Sequence, residues 1–180
     1  MRRLRRRLPD LTYAVTATTR PRRQGEVSDK SYYFLTEERY HDMLDRDELL
    51  APAKVHGFWY GAPLEPIERA LKRGEDVLFK IDVQGAIQVR RRIPQAVFVF
   101  LAPPSREDLI RRLTARHTES PEELKRRIHD ANFEMEQMPH YDYVIVNKAD
   151  DLGGAVGELA CVITAERLRT LRQPIVLTSR

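Results

Sequence analysis

Hydrophobic positions along the chain follow two rhythms. Residues 11–19 and 31–35 are short β-rich runs, and residues 76–83, 95–101 and 141–147 are apolar runs of strand length. Continuous apolar runs of that length mark strands covered on both faces, as in parallel sheets. Elsewhere the apolar residues recur at helical spacing. Thr36 followed by Glu37 and Glu38 opens a helix that fades near Asp47, because a hydroxyl caps the first turn and carboxylates complement its positive end. Residues 66–73 read as a helix closed by Gly74, and a helical pattern also precedes the run at 95–101. Ser105 caps a helix through Arg116. Ser120 and Glu123 form a capping box around Pro121 for a helix to Glu136, and residues 152–171 make a last amphipathic helix before Pro174. Residues 55–60 give an aromatic strand or turn.

Strand and helix in this alternation predict an α/β fold with helices around a parallel sheet, residues 20–75 forming a smaller mixed lobe. Sheets of this type bind ligands beyond the carboxyl ends of their strands, which points to residues 16–23, 82–85 and 147–151.

Composition narrows the picture. A chain of 180 residues fits one domain, and 42% apolar with 32% charged residues excludes global disorder. The longest uninterrupted apolar stretch, residues 96–102, is far short of the roughly 20 residues that cross a bilayer, and no apolar stretch follows the N terminus. Membrane insertion and a secretory signal are therefore not expected. Cys161 is the sole cysteine, so an internal disulfide or a multi-cysteine metal site is excluded and a reducing, cytoplasmic setting is expected. Net charge is +4, and 25 of the 31 cations are arginine, whose rigid fork of donors suits phosphate and carboxylate. Positive and negative residues are interleaved through most of the chain, the pattern of solvated helix faces, which argues against a nucleic-acid partner.

Within the first strand-end region, Arg20, Arg22 and Arg23 crowd beside Pro21, and three guanidiniums so placed repel one another unless an anion relieves them. A phosphate site is expected there. Asp82 has two readings, a functional carboxylate at a strand end or a cap on the following turn. Gly85 is expected to serve backbone geometry.

The stretch Thr16-Ala-Thr-Thr-Arg-Pro-Arg-Arg-Gln-Gly-Glu26, then Tyr32, Tyr60-Gly61, Ile81-Asp-Val-Gln-Gly85 and Tyr141-Asp-Tyr-Val-Ile-Val-Asn147 resembles guanylate kinases across nearly the whole chain. The resemblance implies a single domain over residues 1–180 with the three-layer fold of P-loop nucleoside monophosphate kinases: a parallel sheet, a monophosphate-binding lobe at 20–75 and a helical lid at 111–129. It implies transfer of the γ-phosphate of ATP to GMP, giving GDP, with Mg2+. Arg20, Arg23, Tyr32 and Tyr60 would then hold the GMP phosphate, with Thr16 and Asp82 completing the substrate site. Arg112, Arg116 and Arg127 would act as catalytic cations over the triphosphate, and Asn147 would lie on the ATP side.

Three departures qualify that expectation. The family's Gly-rich P-loop ends in Gly-Lys-Ser/Thr, and no Gly-Lys dipeptide occurs in these 180 residues. The fold is therefore expected without its first strand and P-loop, the residues at 2–8 matching the end of the helix after that loop, with a start placed too late as the leading explanation. Such a chain is not expected to be a competent kinase as it stands. Ala51 and Ala62 replace the family's guanine-reading glutamate and serine or threonine, so GMP or an analogue of relaxed base specificity is the expected ligand. Lys80 stands where an acidic residue is usual, on the same strand face as Asp82, and is expected to pair with it. The alternative function is a non-catalytic guanylate-kinase-like module that binds a phosphorylated peptide or nucleotide.

Overall fold

In the computed structural model, residues 2–55, 57–114, 121–149, 151–171 and 175 are described. They divide into two compact units, residues 8–96 with 173–180, and residues 1–7 with 97–172.

The unit at 8–96 contains two sheets. Strand β1 (Thr12–Tyr13) pairs in parallel with β6 (Val77–Leu78). Four further strands, β2 (Ala17–Thr18), β3 (Tyr33–Phe34), β4 (Leu49–Val55) and β5 (Phe58–Pro63), form a mixed sheet in the order β3-β2-β5-β4. The β-rich run at 11–19 is thus not one strand. Ala14 N–H donates to Leu78 O at 3.0 Å, and two residues later Thr16 O accepts from Tyr33 N–H at 2.9 Å, so the chain changes partner and the strand breaks between the two sheets. Glu75 fastens the start of the parallel pair, accepting from Thr12 Oγ1 at 2.5 Å and from Arg73 Nε at 2.5 Å. Arg73, then Thr12, hold its carboxyl down to about 2.

Helices of this unit follow their sequence signals closely. Helix α2 (Glu37–Asp45) starts at Thr36, whose hydroxyl accepts from Arg39 N–H at 3.2 Å. Helix α3 (Leu64–Lys72) begins two residues earlier than its pattern indicates and ends before Gly74, whose φ of 75° suits glycine alone without strain. Helix α4 (Val83–Arg92) begins inside the run at 76–83, because Asp82 caps it. Leu49, Leu50, Ala62, Ile67, Ala70, Val83, Ala86 and Val89 form the core beneath the mixed sheet and these helices. Burying a leucine such as Leu49 contributes about 1.5–3 kcal/mol.

In the other unit, β7 (Val99–Ala102) and β8 (Tyr143–Val146) pair in parallel over four residues, from Val99↔Tyr143 to Ala102↔Val146. The crossover between them carries α5 (Arg106–Thr114) and α6 (Pro121–Glu136), as the sequence pattern indicates. Asp142 anchors the strand start by accepting from Phe98 N–H at 2.7 Å. Helix α7 (Leu152–Arg167) follows β8 and packs on the short helix α1 (Arg2–Arg7), whose buried residue is Leu4. Gly157 of α7 lies beneath Arg7: a Cβ there would meet Arg7 Nη1 at 3.1 Å. Among the described residues, no helix is long and apolar enough to cross a membrane.

Candidate functional site

The turn after β2 builds a polar cluster around Arg20 and Glu26. Arg20 is 8% exposed. Its backbone N–H donates to Thr18 Oγ1 at 3.2 Å, which fixes the chain as it leaves the sheet. Its guanidinium grips Glu26 with both terminal nitrogens, Nη2 to Oε1 at 2.7 Å and Nη1 to Oε2 at 3.1 Å, while Nη1 also donates to Pro21 O at 2.7 Å. Glu26 Oε2 accepts in addition from Arg23 N–H at 2.7 Å, so one carboxylate ties both ends of the turn. Gly25, at φ 83°, permits the reversal.

Two tyrosines complete the cluster. The Arg20 Cζ lies 5.3 Å from the centre of the Tyr32 ring, within cation–π range, and the Tyr32 and Tyr60 rings meet edge to face at 6.2 Å. Tyr60 sits on β5, and its position is set from behind: Tyr40, fully buried, donates its hydroxyl to Tyr60 O at 2.8 Å. Gly61 makes room for that hydroxyl, which would lie 3.3 Å from a Cβ there. Glu26 foremost, with help from Tyr60, raises the pKa of Arg20, and Arg20 in turn holds the Glu26 carboxyl below the usual range. Glu26 takes both terminal nitrogens of the Arg20 guanidinium, and the Tyr60 side chain stands close enough to act on its charge as well. Glu26 belongs to the loop motif, yet its part in holding Arg20 was not singled out in the sequence. An acidic residue six positions after a buried cation, across a glycine turn, is the signal that could have found it.

The other expected residues take differing roles. Arg23 is exposed and engages Glu26 through its backbone alone. Thr16 is half-buried where β1 gives way to β2. Asp82 does cap α4, its Oδ1 accepting from Gly85 N–H at 2.7 Å. Gly85 is needed for space, since a Cβ would meet Asp82 Oδ1 and Ile81 Cβ, each at 3.2 Å. Lys80 is exposed, and among the described residues no ion pair joins it to Asp82, whose carboxylate is turned to the helix instead. Ala62 is fully buried and Ala51 nearly so; Ala51 lies at φ 50°, where the β4–β5 register shifts between Leu50 and Ala53.

Arg112 and Asn147 come together within the unit at 97–172. Arg112 Nη2 donates to Asn147 O at 2.8 Å, and its Nε pairs with Asp108 Oδ2 at 2.6 Å, one helical turn back. Asn147 N–H in turn donates to Ala102 O at 2.8 Å, extending the β7–β8 pairing by one bond. Arg127 is half-buried on α6, and Arg116 lies outside the described residues.

Helices α4, α5 and α7 follow β6, β7 and β8, and each has one N-terminal N–H capped by the side chain that precedes the helix. Asp82 accepts from Gly85 N–H, Ser105 from Asp108 N–H at 3.1 Å, and Asp151 from Gly154 N–H at 2.7 Å.

Comparison with known proteins extends these local features over the chain. The guanylate kinase family model matches residues 4–166. The guanylate kinase of Desulfitobacterium hafniense is 42% identical over 173 residues, which cover 96% of this chain and 86% of that protein. That of Thermus thermophilus is 45% identical over 162 residues, covering 90% of this chain and 73% of its own. The crystal structure of guanylate kinase from Anaplasma phagocytophilum matches with a TM-score of 0.78 at 31% identity, over 96% of this chain and 82% of that one. A phosphate-suited arginine turn, parallel strand pairs with crossover helices, and a match along nearly the full length have one common explanation: the chain belongs to the guanylate kinase family and has its nucleoside-monophosphate-kinase-like fold.

Proposed function

We propose that this chain supplies the acceptor side of a nucleoside monophosphate kinase, in which Arg20, Arg23, Tyr32 and Tyr60 hold the phosphate of GMP or a related nucleoside monophosphate, with Thr16 and Asp82 beside it. The family reaction carries the γ-phosphoryl group of ATP, with Mg2+, to GMP. One observation carries the acceptor reading: the buried Arg20 is clamped through both terminal nitrogens by Glu26, beside the Tyr32 ring and within reach of the Tyr60 side chain. A cation already fixed in place binds a phosphate without the entropy of ordering a loose side chain.

The donor side differs. A triphosphate cradle needs a run of open backbone N–H groups at a helix N terminus, with a lysine and a hydroxyl beside it. No Gly-Lys dipeptide occurs in the 180 residues, and the helices after β6, β7 and β8 carry side-chain caps at Asp82, Ser105 and Asp151 with no lysine side chain bonded there among the described residues. The described residues therefore do not fit ATP and Mg2+, and we assign to them binding of the acceptor without turnover. Alanines at 51 and 62 offer a base no side-chain hydrogen bond, which supports relaxed base selectivity.

Calorimetric titration of the 180-residue protein with GMP and with AMP tests the acceptor half, and ADP release with ATP, Mg2+ and GMP tests the donor half. Both monophosphates are expected to bind within about tenfold of each other, where a base-reading site would separate them by orders of magnitude. No GMP-dependent ADP release is expected. Failure to bind GMP would overturn the acceptor reading, and turnover at roughly 1–100 s−1, the usual range for kinases, would overturn the donor half.

A further inference from the structure

The start of β4 concentrates three energetically costly features. Asp47 has φ 54° and Ala51 φ 50°, both in the left-handed region that L-residues avoid. Glycine would occupy position 47 without strain, so an aspartate there calls for a compensating contact. That contact is Arg92, in the last turn of α4. Arg92 is 8% exposed and its guanidinium makes a two-pronged pair with Asp47, Nη1 to Oδ1 at 3.1 Å and Nη2 to Oδ2 at 3.0 Å. Nη1 also donates to Leu49 O at 3.1 Å, the first carbonyl of β4. The pair is half-buried, the Arg92 side chain 10% and the Asp47 side chain 32% exposed, so desolvation offsets part of its Coulomb energy and its stronger effect is to fix one arrangement.

What it fixes can be traced through the sheet. From Leu49 the strand pairs directly with β5, Leu49 opposite Pro63 and Leu50 opposite Ala62, then Ala53 opposite Tyr60 after the register shift. A displacement of the start of β4 is therefore carried to Trp59 and Tyr60. We propose that Asp47 and Arg92 are positioning residues for the phosphate site, clamping β4 to α4 so that β5 presents Tyr60 beside Arg20. The proposal rests on the phosphate-site reading above. Its coupling is a chain of direct contacts, α4 to Asp47 and Leu49, β4 to β5, and Tyr60 to Tyr32 and Arg20.

Trp59 is the only tryptophan in the chain, and it stacks on Tyr40 with ring centres 5.6 Å apart, so its emission reports the placement of β5. The test compares wild type with Arg92→Lys, which keeps the charge but loses the fork, and Asp47→Asn, which keeps tolerance of the left-handed backbone but loses the charge. Both variants are expected to shift Trp59 emission in the folded protein and to weaken GMP binding about fivefold, the scale of coupling between contacting elements. Arg20→Ala is the control that removes the site directly. A clamp with only a structural role predicts the opposite pattern: a lower unfolding midpoint with GMP affinity within about twofold of wild type and unchanged emission, and that result overturns the proposal. Should Arg92→Lys fail to fold, Asp47→Asn alone decides between these outcomes. If wild type binds no GMP, the phosphate-site reading falls and the positioning role falls with it. If wild type binds and Arg20→Ala abolishes it while both clamp variants bind normally, the site stands and the positioning role alone falls.

Discussion

Arg20 and Arg112 are the same residue type, each paired with an acid close in sequence, and the structure uses them in different ways. Arg20 meets Glu26 through its terminal nitrogens, beside the Tyr32 ring and the Tyr60 side chain. Arg112 commits Nε to Asp108 and Nη2 to a backbone carbonyl, that of Asn147. One guanidinium is clamped within its own turn beside two tyrosines; the other joins a helix to the end of a strand. In an arginine-rich chain, the number of arginines near strand ends does not locate a binding site.

The largest expected effect follows from that difference. Arg20→Ala is expected to weaken GMP binding by about 1.5–3 kcal/mol, the usual magnitude for a hydrogen bond between charged groups, as read by calorimetry. Arg23→Ala should fall at the lower end of that range, because Arg23 is exposed and only its backbone N–H is fixed by Glu26. Unchanged affinity in both variants would dissolve the contrast with Arg112.

Much of the site was legible in the sequence because its parts lie close together along the chain. Arg20, Pro21, Gly25 and Glu26 make one turn, and helix caps at Thr36 and Ser105 read directly from residue type. The break in the run at 11–19 was not legible, since nothing in its composition marks the residue where it leaves β6 for β3. Strand β4 was missed for a related reason. Its sequence Leu-Leu-Ala-Pro-Ala-Lys-Val lacks alternation, and a register shift falls within it. The pairing of Asp47 with Arg92 spans 45 residues and belongs to the tertiary structure alone. Arg112 is the instructive case, because Asp108 stands one helical turn before it and that spacing alone announces a pair.

A second, smaller effect sharpens the Arg20 side of the comparison without any ligand. Arg20, and then the Arg23 N–H, hold the folded Glu26 carboxyl below its ordinary value of 4.5. A depressed carboxylate contributes stability that is fully present above the unfolded value and is lost as pH falls through the folded one. Glu26→Gln should therefore destabilise the protein near neutral pH, and the gap from wild type should close as the solution is acidified below about 4.5. Urea unfolding of both proteins at pH 7 and pH 3 measures it. A gap that persists or widens in acid would mean that the charge on Glu26 is not what holds Arg20.

The smallest expected effect on ligand belongs to Arg112. Its removal strands Asp108, whose side chain is 10% exposed, with Arg111 as its remaining partner, and it deprives Asn147 O of a donor. Stability should drop by about 1 kcal/mol, as for one hydrogen bond lost from a half-buried network. GMP affinity should stay within about twofold of wild type, since sites without shared partners act nearly independently. Thermal unfolding and a GMP titration of Arg112→Ala separate the two quantities. A loss of GMP binding as large as that of Arg20→Ala, with the unfolding midpoint unchanged, would reverse the assignment: Arg112 would then be a ligand-facing cation whose contacts to Asp108 and Asn147 yield when the nucleotide arrives. The pattern expected here, a less stable protein that binds as before, would confine the acceptor phosphate to the turn at Arg20.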